Sequence, residues 1–563
     1  MNQSTHWDSR QRSGAQALIE QLRESGLIGS NDTLTMGNPG SGEEWLYLEL
    51  GVDVSIALAE AAVGSIIDGA SRVLNKPAVA IAHGFVGFSG LQGDVFNAAQ
   101  RQSPMLVIVG VADSHAHTGG SHMYADVESA ALSAGAKYVK NATDSKTLIR
   151  DLRDAIIQAQ LQPSGPVVFI VGTNVCEAPN HESIFAPSLS DTRIAPPSEE
   201  IQKLADMLLE ANKPCLLIGD GIARSKAQPV LQKVAELIGA DVWASMESEV
   251  NFPRHHPLFA GNLGHMDDAR GQELLKEADC ILAIGTPVYQ TVFNSKERLV
   301  DSSVPIATIN LDPHSVLKGH NDVLLPIFGD PQRVLTLLGE TIESSQSQDH
   351  QMESKERCER SKVIRSQQLK ERQNALLLEE GVTMAKFAHV LEEKLGEFSE
   401  RPVIFNEALV GAIGLTDFIH NVNIPGKYFD TSGGSLGEWA GAVGSAFVVG
   451  PTIAIIGDGG FNYVPQALWN AAQSHLPIGF VVANNSEYGL LTANLASALK
   501  KRNIDSATIP SSEFLKVPNV DYAKIAQGYG VKAIKVDDEK HMDDAVSELL
   551  KFDGPMLIDL VVK

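Results

Sequence analysis

Short apolar runs rich in β-branched residues recur along almost the whole chain, and longer amphipathic segments separate them. A run of this length with no polar alternation is buried on both faces, which is the habit of a parallel strand. Parallel neighbours cannot be joined by tight turns, so the amphipathic segments between them are predicted to be crossover helices. In the first third, KPAVAIAH (76–83), PMLVIVGVAD (104–113) and GPVVFIVG (165–172) read as strands. The middle third supplies KPCLLIGDG (213–221), ADCILAIGTPV (278–288) and VPIATINLDP (304–313). RPVIFNEA (401–408), PTIAIIGDGG (451–460), LPIGFVVANN (476–485) and GPMLIDLVV (554–562) follow in the last.

The pattern predicts an α/β protein of three doubly wound parallel-sheet domains. Residues 184–198 carry three prolines and little periodicity, which suits a connector. Residues 343–375 open on a polar, charged stretch that reads either as an exposed linker or as a solvated helix. The expected domains are 1–183, 199–342 and 376–563, with 343–375 between the second and third. No short-period repeat is evident.

With 563 residues, 44% of them hydrophobic, the chain has material for full cores rather than disorder. A formal net charge of −24, with no basic tract to offset it, argues against nucleic acid and anionic membranes as partners. No apolar run reaches about 18 residues, and the polar start MNQSTHWDSRQRSG lacks a signal-peptide core, so a cytoplasmic location is expected. Cys176, Cys215, Cys280 and Cys358 are widely spaced, which argues against a disulfide framework or a zinc site.

The densest chemical signal is GDGGFNYVPQALWNAAQSHLPIGFVVANN (457–485). Asp458 follows one predicted strand and Asn485 follows the next, with PQALWNAAQSH as the crossover helix. Parallel strands end on one edge of the sheet, where ligands bind in this fold class, so Asp458 and Asn485 are expected to converge. A carboxylate, a carboxamide oxygen and a main-chain carbonyl form a hard oxygen set suited to magnesium, which keeps phosphate oxygens and water as its remaining ligands. Gly457 and Gly459 let the backbone approach a diphosphate closely.

The segment resembles the signature of thiamine-diphosphate-dependent enzymes, which opens on GDG and closes on NN. The resemblance implies Asp458, Asn485 and the main-chain oxygen of Glu487 as magnesium ligands, with Tyr488 beside the cofactor. It also implies a glutamate that shares a proton with the aminopyrimidine ring, on a helix preceding a buried strand of the first domain. Glu60, in SIALAEAAVGSIIDGASRVLNKPAVAIAH, matches that position. TSGGSLGEWAGAVG (431–444) resembles the loop that bends the cofactor, with Leu436 as the wedge and the Gly434 carbonyl facing the pyrimidine amino group. Glu438 and Trp439 depart from the apolar residues usual there.

Taken over the chain, the resemblance is to the pyruvate oxidase and acetolactate synthase superfamily, with pyrimidine-binding, central and diphosphate-binding domains in that order. In that family the site lies between subunits, which implies a homodimer at least and a homotetramer as the common form. Local wording is nearest the benzoylformate decarboxylase branch: Ser41 of NPGS matches a substrate-contacting serine, and His83 an acid–base histidine at a strand end. Val292, in GTPVYQTVF, stands where that branch has a second histidine, and a valine moves no protons. His115, His117 and His122 are candidate substitutes, and Leu490 is expected to line the substrate pocket. The central GDGIARS turn lacks G-x-G-x-x-G, so no FAD is expected.

The expected activity is non-oxidative decarboxylation of a 2-oxo acid, with or without carboligation to an aldehyde. An acetolactate-synthase-like carboligase is the alternative. A catalytically silent, cofactor-binding regulatory subunit is the outsider, disfavoured because a scaffold needs none of Glu60, Asp458 and Asn485.

Overall fold

The computed structural model describes residues 11–113, 120, 122, 124–245, 247–264, 268–292, 298–315, 323–431, 434–505 and 512–562. The first sheet holds β1 (Thr35–Gly37), β2 (Ser55–Ile56), β3 (Ala78–His83), β4 (Met105–Val111), β5 (Tyr138–Ala142) and β6 (Val167–Gly172), in the order β2-β1-β3-β4-β6-β5. The second holds β7 (Pro214–Ile218), β8 (Asp241–Ala244), β9 (Phe259–Asn262), β10 (Cys280–Ile284), β11 (Ile306–Asn310) and β12 (Leu325–Phe328), in the order β12-β11-β10-β7-β8-β9. The third holds β13 (Val403–Glu407), β14 (Tyr428–Asp430), β15 (Thr452–Gly457), β16 (Ile478–Asn484), β17 (Lys532–Val536) and β18 (Met556–Val561), in the order β14-β13-β15-β16-β18-β17. Every pairing in all three sheets is parallel. The first and third sheets therefore share one topology, and the second differs.

The apolar runs named from the sequence all become strands, and all lie inside their sheets rather than at an edge. Residues 180–197 carry neither helix nor strand among their assignments. The polar stretch that follows the second sheet is a helix, Gln348–Leu377, in which only Ser354 and Leu376 are buried. Its Arg365 donates to Asp241 at 2.6 Å and to the Pro257 carbonyl at 2.8 Å, which ties the solvated helix to the middle sheet. No described helix is long and apolar enough to cross a membrane.

One hydrophobic core serves the first and third sheets together: Ile66 and Val95 of the first share it with Trp439, Val443 and Phe461 of the third. Helix Glu60–Leu74 and helix Gly441–Val449 cross at its centre, each being the connection that leads into the third strand of its own sheet. Their backbones touch. A Cβ added at Gly69 would lie 2.1 Å from the Gly441 carbonyl oxygen, and one at Gly444 would lie 1.9 Å from that of Ile66. Only glycine permits so close a crossing, because the obstacle is main chain and has no rotamer to yield.

Buried charge reinforces the same seam. Arg101, 1% exposed, pairs with Asp68 at 2.7 Å in the first domain and with Glu438 from the third. Arg72 donates to the Ser248 carbonyl at 2.7 Å and places its guanidinium 5.0 Å from the Phe429 ring, linking the first sheet to both others. Gly444→Ala is expected to destabilise the protein by about 1–3 kcal/mol through overpacking against backbone. A lowered midpoint of chemical unfolding, with secondary structure kept in the folded baseline, is the measurement that checks it.

Candidate functional site

β15 and β16 are adjacent, with Gly457 beside Ala483, so Asp458 and Asn485 leave the sheet at neighbouring carboxyl ends. Asp458 is 3% exposed, and burial raises its pKa against the opposing pull of nearby main-chain N–H groups. Its Oδ1 accepts from the Gly459 N–H at 2.8 Å. The N–H of Glu487 donates both to Asp458 Oδ2, at 3.2 Å, and to Asn485 Oδ1, at 3.0 Å. The two side-chain oxygens expected to converge thus meet at one amide. These are hard oxygen donors that could hold a cation, and the buried carboxylate gains most from one. Among the described residues no cluster of three His, Cys, Asp or Glu side chains offers a competing metal site.

The surrounding loop is built for close contact. The Tyr488 ring lies against Gly459, where a Cβ would sit 2.6 Å from Cε1; one at Gly457 would meet nothing nearer than 3.5 Å. Gly459 is therefore required by Tyr488, a reason the sequence did not disclose. Asn97, from the first domain, clamps the loop before helix Gly441–Val449: it donates to the Ser435 carbonyl and accepts from the Ser435 N–H, both at 2.8 Å. Its Oδ1 would lie 2.2 Å from a Cβ at Gly434. A cavity of about 610 Å³ opens between these segments, lined by Gly434, Leu436, Asp458, Asn485, Tyr488 and Leu490. Val292, half-exposed, enters this cavity from the middle domain.

Glu438 and Trp439 turn out to be structural. Glu438 is the partner of Arg101, and the Trp439 ring stacks on Phe461 at a centroid distance of 5.6 Å. Glu407, at the end of β13, accepts from the Gly437 and Trp439 N–H groups at 2.9 and 2.6 Å. Burial and the charge of Glu438 push its pKa up to about 8, so it lines the cavity as a neutral acid.

The first domain carries the other named residues. Glu60 opens helix Glu60–Leu74 and His83 closes β3. Helix Gly84–Gln100 passes between them at Gly87, where a Cβ would lie 3.2 Å from Glu60 Oε1 and 3.4 Å from His83 Cβ. Both side chains thus flank Gly87. His83 lines a second cavity of about 420 Å³, with Ser41, Phe85, Asp113, His122 and Tyr124 on its walls. His115 and His117 lie outside the described residues. One neighbour was missed in the sequence: Glu43, buried, with Oε2 2.9 Å from His83 Nδ1. Its signal was present in NPGSGEE, two positions after Ser41, but a glutamate opening a helix ordinarily faces water.

Within one chain Ser41, His83 and His122 face a cavity lined only by residues of the first domain, whereas Leu436, Asp458 and Asn485 face one lined only by Val292 and residues of the third. Comparison with known proteins relates this arrangement to a family. The description "Thiamine pyrophosphate enzyme, N-terminal TPP binding domain" matches residues 12–131, the central domain of the same family matches 201–338, and its C-terminal TPP binding domain matches 412–560. Benzoylformate decarboxylase of Pseudomonas aeruginosa is 26% identical over 559 residues, covering 97% of this chain and 98% of that protein. Glyoxylate carboligase of Escherichia coli O157:H7 is 24% identical, covering 83% and 79%. A probable acetolactate synthase large subunit of Methanococcus aeolicus is 23% identical, covering 98% and 92%. The benzoylformate decarboxylase structure from Polynucleobacter necessarius superposes with a TM-score of 0.81 at 22% identity, over 98% of this chain and 99% of that one. Three consecutive matches, in the order of the three sheets, lead to one conclusion: the chain belongs to the thiamine-pyrophosphate-dependent enzymes.

Proposed function

We propose that the protein decarboxylates a 2-oxo acid without oxidation and is able to pass the resulting acyl unit to an aldehyde. The observation that carries this reading is the convergence of Asp458 and Asn485 on one amide in the cavity that Leu436 also lines, with Glu60 and His83 on either side of Gly87 in the first domain. When bound, thiamine diphosphate would supply a carbon nucleophile and a sink for the electron pair left behind as carbon dioxide departs. Asp458, Asn485 and the Glu487 carbonyl hold magnesium, and Gly457, Gly459 and Tyr488 flank the diphosphate. Gly434 and Leu436 orient the two rings. Glu60, in the first turn of its helix, shares a proton with the pyrimidine nitrogen. His83 moves protons to and from the reacting oxygen and carbon, Ser41 holds the substrate carboxylate, and His122 and Leu490 shape the pocket.

Because His83 and Ser41 face one cavity and Asp458 and Asn485 another, we propose that the first domain of one copy completes the third domain of another, so that a homodimer, or a homotetramer built from two, is the working unit. The domain limits proposed are 1–183, 199–342 and 376–563. The four cysteines are free thiols, in keeping with a reducing cytoplasm as the proposed location.

A panel of 2-oxo acids, assayed for carbon dioxide with thiamine diphosphate and magnesium, tests the reading. At least one aromatic or aliphatic member is expected to be turned over, and no carbon dioxide from any would sink it. Asp458→Ala should abolish tight binding of thiamine diphosphate, because two phosphates would then face an acidic protein without their bridging cation. Titration calorimetry with and without magnesium reads this, and unchanged affinity would remove Asp458 from the site. Glu60→Gln should keep cofactor affinity while lowering turnover by about 10²–10⁴-fold. Mixed with Asp458→Ala subunits it should recover part of the lost activity, since one of the two shared sites then regains both residues.

A further inference from the structure

The contacts around His83 go beyond what a single acid–base histidine needs. Three glycines clear space for the ring and its partner. A Cβ at Gly40 would lie 2.3 Å from His83 Cγ, one at Gly42 would lie 3.2 Å from His83 Nδ1, and one at Gly110 would lie 2.4 Å from Glu43 Cβ. Into that space Glu43 sends a side chain with no exposed surface, its Oε1 accepting from the Gly40 N–H and its Oε2 set 2.9 Å from His83 Nδ1. The Gly42 N–H points at the same Nδ1 from 3.1 Å. These two contacts demand opposite things. An ionised Glu43 needs a proton on Nδ1, whereas the Gly42 amide needs a lone pair there. Nε2 has no protein partner among the described residues, and the ring lines the first-domain cavity.

We propose that Glu43 and His83 share protons as one unit, in which the protonation state of Glu43 decides whether His83 Nε2 accepts or donates at the cavity. With Glu43 ionised, Nδ1 carries the hydrogen and Nε2 presents a lone pair. When Nε2 takes a proton from a substrate hydroxyl, the O–H bond breaks, an Nε2–H bond forms, and the Nδ1 proton passes to Glu43. The pair is then a neutral acid beside a neutral ring, with Nε2–H ready to donate. Protonation of the substrate runs these transfers backwards. One ring nitrogen thereby serves both directions, which the valine at position 292 leaves to it. Burial raises the Glu43 pKa, and the neighbouring His83 opposes this.

Other ionisable groups face the pair. Tyr47, on helix Glu44–Leu50, is half-buried, and its pKa is raised by burial and by the charges of Glu43 and Glu60, so it stays neutral. Glu60 lies across Gly87, and Asp113, His122, Asp126 and Glu128 line the cavity. The proposal rests on His83 being the acid–base group of the reaction, and the test keeps the two apart.

The pH dependence of kcat is measured on the best 2-oxo acid for the holoenzyme and for Glu43→Gln, Glu43→Asp, His83→Ala and the double variant Glu43→Gln/His83→Ala. The unmodified enzyme should show two limbs, belonging to the pair rather than to either residue. Glu43→Gln fills the same space but cannot take a proton, so its profile should collapse to one limb. Its kcat should fall by about 10- to 100-fold, with KM and thiamine diphosphate affinity near those of the parent. Glu43→Asp keeps a titratable carboxyl and should keep both limbs, and the double variant should be no slower than His83→Ala. Two limbs and parental kcat in Glu43→Gln, beside a slow His83→Ala, would overturn the shared unit and leave the His83 reading standing. Normal turnover in His83→Ala would overturn the His83 reading, and the shared unit with it. If Glu43→Gln does not fold, Glu43→Asp decides, because a single limb there also overturns the proposal.

Discussion

Main chain lies against main chain where helix Glu60–Leu74 crosses helix Gly441–Val449, and the placement of both groups of site residues follows from that contact. Glu60 opens the first helix, and the loop carrying Gly434 and Leu436 leads into the second. A crossing made with side chains would separate helix axes by about 8–10 Å; here Gly69, Gly441 and Gly444 remove the spacers. The shared apolar core around the crossing then fixes the first sheet against the third, and with them the orientation of β3, β15 and β16, at whose carboxyl ends His83, Asp458 and Asn485 stand.

The charges buried beside the crossing work differently from the apolar contacts. Taking Arg101, Asp68 and Glu438 out of water costs several kcal/mol per ion before their attraction is counted, so the triad is weak evidence of net stability. Its effect is on alternatives. A shifted packing of the two domains would leave an unpaired guanidinium or carboxylate in the core, and that penalty is much larger than the loss of a few apolar contacts. Two further buried acids at this seam, Asp94 and Glu407, each pushed up to about 8, avoid the same penalty by staying protonated.

How legible this was in the sequence follows from burial. Interior strands are covered on both faces and write continuous apolar runs, and these were read. All six edge strands went unread, together with β1 and β8, which are interior but only three and four residues long. An edge strand such as Tyr138–Ala142 is half covered and carries Lys140 and Asn141, so its composition resembles a loop. The alternatives left open for residues 343–375 resolve to a helix because it is pinned by a few polar contacts rather than by an apolar stripe. Asp458 and Asn485 were legible because strand ends in a parallel sheet have a fixed address. Glu43 was not, since its partner lies forty residues away and only the fold places the NPGS loop over β3. The ion pair of Glu438 with Arg101 was hidden for the same reason; all that the sequence offered was a departure from the family's usual residues.

The two crossing helices occupy equivalent places in two sheets of identical topology, so the seam has the logic of a twofold dimer interface folded into a single chain. In such an interface each surface is the template for the other, and neither is free to drift alone. Gly69 must stay small because Gly441 approaches it, and Gly444 because Ile66 does. The middle domain has no such counterpart and is held by polar contacts such as the buried bond from Arg72 to Ser248 and those of the helix Gln348–Leu377. Recombination between relatives should therefore be tolerated unevenly: a foreign middle domain brings its own core with it, whereas a foreign first or third domain arrives with half of a matched pair.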